Sequence, residues 1–209
     1  MQVFQEPIEL SSASFRAVNV FVTDAEEDGE RVLRVVKDPS VQKVDEPTYA
    51  KVQLTDFANG TIEVEVKSRL LPDAPGFARG FIGVAFHADP VDTRFECFYL
   101  RPANSTCDDM VRRNHTVQYF SYPDHKFDRL RELFPKKFET YAEIDLDEWI
   151  TMLIEVDGPR ATLTINGAKR AVLVVPERLN AGMDSGGIGL WVDVGTEGYF
   201  RRLRVTRKP

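Results

Sequence analysis

Three side chains stand where they could move protons. His87 closes the segment Phe81-Ile82-Gly83-Val84-Ala85-Phe86-His87, Tyr99 lies within Phe95-Glu96-Cys97-Phe98-Tyr99-Leu100-Arg101, and His115 opens the run His115–Ser121. An imidazole titrates near neutrality and can give or take a proton in a transition state; a phenol can do so when its surroundings help. His87, His115 and Tyr99 are therefore the candidate catalytic groups. His125, in a Pro-Asp-His loop, reads as surface. The densest polar stretch runs from Arg101 to Tyr122 and supplies Arg101, Asn104, Arg112, Asn114 and Gln118 as groups that could hold a substrate or stabilise developing negative charge. Arg112 and Arg113 could instead pair with Asp108 and Asp109 in a solvated loop. Trp191, Asp193 and Glu197, near the C-terminus, complete the candidate binding set.

Several chemistries are missing. No two histidines are four residues apart, no Cys-x₂-Cys pair exists, and the only cysteines are Cys97 and Cys107, so a zinc site is not expected. Those two thiols could form one disulfide or stay free. There is no G-x-S-x-G elbow, P-loop or G-x-G-x-x-G, and no organic cofactor is expected. Asp184-Ser185-Gly186-Gly187 and Asp89-Pro90 could offer oxygens to a structural calcium ion, a weak signal. Glycoside hydrolysis by two carboxylates needs a pair spaced on one face, and no strand presents one: Glu96 falls on the core side and Glu197 sits in the turn Gly195-Thr196-Glu197-Gly198.

The elements that must position these residues are strands. Thr61-Ile62-Glu63-Val64-Glu65-Val66-Lys67 alternates strictly, which sends Ile62, Val64 and Val66 to a core and the charges to water. Comparable strands are expected over 15–22, 31–37, 49–54, 80–88, 94–101, 115–121, 150–157, 161–165, 169–175, 187–194 and 199–206. Asp157-Gly158 and Asn166-Gly167 are hairpin signals that make 150–175 a three-stranded meander. One helix of about two turns is expected over 126–134, with Phe127, Leu130 and Phe134 on one face and Pro135 ending it. The fold class is all-β: a single domain over 1–209, a two-sheet antiparallel jelly-roll sandwich with one or two short helices.

Three of these strands have an unusual second face. With Ile82, Val84, Phe86, Phe98, Leu100, Ile188 and Leu190 in the core, the opposite face carries Phe81, Gly83, Ala85, His87, Cys97, Tyr99, Arg101, Gly189, Trp191 and Asp193. Small residues leave room on a sheet. Aromatic faces cover the C–H patches of a pyranose, and planar polar groups bind its hydroxyls, so this face reads as a sugar site. The competing reading is a second core, with the aromatics packed under a long loop.

The net charge of −6 argues against nucleic acid, since phosphate binding needs a basic face and the basic pairs here are scattered. No apolar run approaches the roughly 20 residues that cross a bilayer, so no membrane partner is expected. Residues 1–10 contain Glu6 and Glu9 without a basic patch and apolar stretch, so they do not read as a signal peptide: the protein is cytoplasmic or is exported with its leader removed.

Three blocks, Gly80–Phe86, Glu96–Pro102 and Arg112–Tyr119, resemble successive parts of concanavalin A-like lectin/glucanase domains. They are most similar to uncharacterised bacterial members near the domain of unknown function 1080 group, which includes 3-keto-glycoside hydrolases and lyases. Glu148-Trp149, the Asn166-Gly167 hairpin and Gly187–Trp191 with Gly195–Phe200 extend the resemblance over about 48–205. It implies a curved jelly roll whose concave face and rim loops bind carbohydrate. The E-x-D-x-x-E glutamates of the laminarinase-like branch are missing, so no catalytic residue carries over. Two functional readings stand: a glycoside hydrolase or lyase-like enzyme acting on a sugar, and a non-catalytic carbohydrate-binding module with Trp191 and Tyr99 as platforms. A third is a structural sandwich whose outer face packs against a partner. Oligomeric state is open.

Overall fold

The computed structural model describes residues 4–53, 56–180 and 182–208. In chain order the strands are β1 (Phe4–Pro7), β2 (Phe15–Val18), β3 (Val20–Glu27), β4 (Glu30–Lys37), β5 (Tyr49–Val52), β6 (Asn59–Leu70), β7 (Ile82–Ala88) and β8 (Phe95–Leu100). They continue with β9 (Val117–Tyr122), β10 (Glu139–Thr140), β11 (Ile150–Asp157), β12 (Arg160–Ile165), β13 (Leu173–Val175), β14 (Gly187–Val192) and β15 (Thr196–Lys208). Helices are few: α1 (Pro102–Ser105), α2 (Met110–Arg113) and α3 (Phe127–Leu133), with a single 3₁₀ turn at Ser12–Ser14. None is long and apolar enough to cross a membrane.

Two antiparallel sheets form a sandwich. One runs β13-β12-β11-β6-β15-β4-β3, with β1 also pairing β15; the other runs β10-β9-β8-β7-β14-β5-β2. In β6 the alternation works as expected: Ile62, Val64 and Val66 have no exposure, while Glu63 and Glu65 meet Arg204 and Arg201 of β15 across the ladder. Ile82, Val84, Phe86, Phe98, Leu100, Ile188 and Leu190 are likewise fully buried in the common core. The meander β11-β12-β13 turns where expected, with Gly158 at φ 55°, and Asn166 and Gly167 at 50° and 65°.

The structure departs from the sequence reading at instructive places. The strand expected over 15–22 is two strands. Asn19, at φ 53°, breaks it, so β2 joins one sheet and β3 the other. The loop expected between Pro102 and Asn114 contains the one-turn helices α1 and α2, the latter capped by Asp109, whose carboxylate accepts from the backbone of Val111 and Arg112. Part of the strand expected over 49–54 lies outside the described residues. Cys97 and Cys107 are free thiols.

Strands β7, β8 and β14 are buried at every position, hence on both faces. The second face is covered by the segment 38–48, hereafter the strap, and by α3. Trp191 Nε1 donates to Glu46 O at 2.9 Å, the Tyr122 hydroxyl donates to Glu46 Oε2 at 3.0 Å, and Lys126 Nζ donates to Val44 O at 3.1 Å. Beneath the strap, Trp191 packs on Tyr99 and Phe120 at ring separations of 4.9 and 5.6 Å. The space left by glycines is filled by the protein itself. A Cβ on Gly189 would lie 2.7 Å from the Tyr49 ring, and one on Gly83 would lie 2.6 Å from Tyr99. Most of this face is thus a second core, and Trp191, with zero exposure, is not an open platform.

Candidate functional site

The second core stops short of the end of the sheet where β8 leaves for α1. There a cavity of about 250 Å³ opens, with Tyr99, Arg101, Asn104, Arg112, His115 and Asp193 on its wall. These six came from the sequence. The structure adds Asp45 from the strap, Arg79 and Phe81 from the approach to β7, exposed Phe77 at the rim, and Phe127 and Arg131 from α3.

Two chains of polar contacts converge on this cavity. The first fixes Asp45. Lys37 Nζ donates to Asp193 Oδ1 and, at 2.6 Å, to Lys43 O; Asp193 Oδ2 accepts the backbone N–H of Asp45 at 2.8 Å. Asp45 adopts a left-handed backbone, φ 51°, and its own Oδ2 accepts the Phe127 N–H at 2.9 Å. Burial, reinforced by the charge of Asp193, pushes the Asp45 carboxyl up to about 7. Asp193 therefore positions the strap, and Asp45 is the carboxyl with protons to exchange near neutrality.

The second chain fixes His115. Arg131 Nε donates to Glu139 Oε2 at 2.8 Å, and Glu139 Oε1 lies 3.3 Å from His115 Nε2. With Nε2–H aimed at the carboxylate, Nδ1 is left with its lone pair. Burial lowers the His115 pKa, the positive charges of Arg131 and Arg101 lower it further, and Glu139 opposes them. His115 also borders a second cavity of about 420 Å³, lined by Met110, Val111 and Asn114.

Between the two chains sits Arg101, 5% exposed. It donates to His115 O at 2.9 Å, to Gln118 Oε1 at 3.4 Å and to the Tyr99 hydroxyl, and it stacks over the Tyr99 ring at 4.6 Å. Among the described residues no carboxylate lies within 4.0 Å of it. Burial raises the Tyr99 pKa well above the ordinary phenol value, so Tyr99 serves as a neutral prop for the guanidinium. Gln118 stands behind Arg101, its amide donating to Tyr119 O and Phe138 O. Asn104 donates to His115 O at 3.3 Å, and its buried Oδ1 has no partner.

Besides Trp191 in the second core and Asn114 on the second cavity, two further candidates lie elsewhere. Glu197 is on the other sheet, bonded to Arg34 Nε at 2.6 Å. His87 leaves the face assigned to it because β7 holds one residue more than β14 between the pairs Gly187↔Ala88 and Gly189↔Ala85, and His87 absorbs the bulge at φ 50°. Its ring joins a buried cluster with Glu96, Tyr119 and Arg178. Nδ1 accepts from Arg178 Nη1 at 2.7 Å, and Nε2 lies 2.9 Å from Ala58 O. Glu96 accepts from both Arg178 and Tyr119; burial raises its pKa, but contact with His87 and the Arg178 charge outweigh this, so it is lowered overall.

Among the described residues no group of three or more His, Cys, Asp or Glu side chains stands together as a metal site. Segment 184–187, read as a source of calcium ligands, places Asp184 in solvent, 4.0 Å from Arg178.

The architecture is that of a two-sheet jelly-roll sandwich with a polar cavity at the edge of a sealed aromatic layer. The sequence matches the profile of the 3-keto-alpha-glucoside-1,2-lyase-like domain over residues 19–206, and the chain belongs to that family. No curated protein matches it. Among solved structures it is similar to the carbohydrate-binding module CBM66 from Bacillus subtilis, with 12% identity, TM-score 0.57, and coverage of 90% of this chain and 96% of that one. It is also similar to a Bacillus subtilis protein of unknown function with a galectin-like fold, at 12% identity, TM-score 0.55, and coverage of 99% and 96%. A β-1,3-1,4-glucanase (lichenase) from a mouse hindgut metagenome matches at 12% identity, TM-score 0.54, and coverage of 99% of each chain. At these identities the likeness is one of fold.

Proposed function

We propose that the cavity takes one ring of a 3-keto-glycoside and that the protein cleaves the glycosidic bond by elimination across C1 and C2. The carrying observation is that His115 and Asp45 line the same cavity while their environments push the proton affinities in opposite directions: the imidazole is held toward neutral and the carboxyl is held protonated toward neutrality. A carbonyl at C3 acidifies the C2 hydrogen. His115 Nδ1 takes that proton, the C2–H electron pair passes into an enolate, and Arg101 donates to the developing oxyanion. The enolate then reforms the ketone, C1=C2 forms, and the C1–O bond breaks with its electron pair on the departing oxygen. Asp45 supplies the proton that oxygen needs. No electrons are gained or lost overall.

The test is incubation with methyl 3-keto-α-D-glucoside in D₂O, followed by NMR and by the ultraviolet absorbance of the enone product. Release of methanol with enone formation supports the reading. His115→Ala is expected to lower the rate by at least 100-fold. Asp45→Asn should retain C2 hydrogen exchange but lose bond cleavage. A binding-only role is favoured by one observation, exposed Phe77 at the rim as a stacking face. Sugar binding with neither C2 exchange nor cleavage would select it.

A further inference from the structure

The chain carries net charge −6, yet this cavity is rich in arginine. Arg79, Arg101, Arg112 and Arg131 all reach its wall. Arg131 is paired with Glu139. Among the described residues Arg112 has one acidic neighbour, Asp109, whose Oδ2 lies 4.0 Å away while Oδ1 caps α2. Arg79 donates to the carbonyls of Gly76 and Ala78 at 2.8 and 2.6 Å and, like Arg101, has no carboxylate within 4.0 Å among the described residues. On the acidic side, Asp193 is committed to Lys37 and to backbone N–H groups. Burial depresses the Arg79 pKa, and the positive charge of Arg112 depresses it further. Asp45 in the same cavity keeps its proton up to about 7 and Asp109 lies at the edge of reach, so like charges here cost free energy that a bound anion removes, and a guanidinium fork matches a carboxylate in shape.

Resting on the sugar reading of the cavity, we infer that the ring it accepts is anionic: a uronide whose carboxylate sits between Arg79 and Arg112, while the orphan Asn104 Oδ1 accepts a ring hydroxyl.

The experiment compares the affinity of the intact chain for methyl α-D-glucuronide, methyl α-D-glucoside and inorganic sulfate by titration calorimetry at 20 and 500 mM NaCl. The expected result is at least tenfold tighter binding of the glucuronide than of the glucoside at low salt. High salt should weaken the glucuronide alone. Arg79→Ala and Arg112→Ala should each cut the preference below threefold, Arg79→Lys should fall between, and Arg129→Ala, an exposed pair partner of Glu132, should leave it intact. Equal binding of the two glycosides overturns the charged-ring inference and leaves the sugar reading standing. Binding of neither glycoside overturns the charged-ring inference, while the sugar reading stands or falls on the 3-keto-glucoside assay. Sulfate binding as tightly as the glucuronide, with the glucoside silent, identifies a plain anion site and overturns the inference too. The salt comparison needs no variant, so a misfolded substitution does not blunt the test.

Discussion

The molecule has two places where an arginine, a histidine, a tyrosine and an acid come together, one in the buried cluster around Glu96 and one at the cavity under the strap. In the cluster around Glu96, Arg178 satisfies the carboxylate directly, both His87 nitrogens have partners, and the Tyr119 hydroxyl donates to Glu96 while accepting from Leu179 N at 3.0 Å. Every charge there is answered by another, and the loop that carries Arg178 is pinned to the sheet. At the cavity the same residue types are held apart. Arg131 is spent on Glu139, Lys37 on Asp193, and Arg101, Asp45 and His115 are left facing the opening. The inventory is nearly the same; the difference lies in whether the partners meet each other or are each held by something else. A group answered by its neighbour has its charge met within the fold, whereas a group braced from behind keeps an atom facing the cavity.

The largest expected effect tests the sealed part of the outer face. Trp191→Ala removes a fully buried indole and should cost about 4 kcal/mol, read as a lowered midpoint in urea. A loss near zero would mean the strap does not cover the ring. Next, Arg178→Ala strands the Glu96 carboxylate in the core and should cost about 3 kcal/mol. A change within error would show that the two clusters do not differ in kind.

The third prediction concerns pH. Asp45 has a carboxyl raised to about 7 in the folded chain, while in the unfolded chain it ionises near 3.8. Between those values the folded state holds the extra proton, so wild-type stability falls as pH rises through that window and is flat above it. Asp45→Asn has no such proton. Its stability relative to wild type should therefore climb from pH 4 to pH 8, by roughly 4 kcal/mol at most. Parallel pH profiles would place Asp45 outside the buried environment described. The smallest effect on stability is expected from Arg101→Ala: about 1 kcal/mol, because no buried acid is abandoned, together with loss of ligand binding. A cost matching that of Arg178→Ala would put Arg101 among the structural groups.

The strands were legible because alternation is a local property: Ile62, Val64 and Val66 cannot face water together with Glu63 and Glu65 in a core. The second face of β7, β8 and β14 was legible only as an ambiguity, since buried aromatics and a ligand platform draw on the same residues. What settles it is the strap, an irregular segment whose backbone is placed by Lys37, Asp193 and Trp191 from distant parts of the chain. Asp45 was missed for that reason, as was Arg131, which α3 delivers only once the helix packs on β9. His87 was misplaced by a single extra residue, because a bulge reverses every side-chain direction after it. His115, Arg101, Asn104 and Arg112 were found because polar groups crowd where a strand ends and the chain turns across the sheet edge.

Strand β15 lies in the middle of its sheet, with β6 along one side and β4 and β1 along the other. Its residues, Thr196–Lys208, follow those of β6, Asn59–Leu70, by more than a hundred positions, so β6 emerges far earlier. On the ribosome β6 must wait roughly ten seconds for its partner. Throughout that interval its apolar row, Ile62, Val64 and Val66, is exposed to any passing strand. Glu63, Glu65 and Lys67, which later pair with arginines and acids in the finished ladder, meanwhile supply alternating charge that discourages pairing with a neighbour's copy. The charges that form the salt bridges of the finished ladder thus also disfavour strand pairing while the sheet is incomplete.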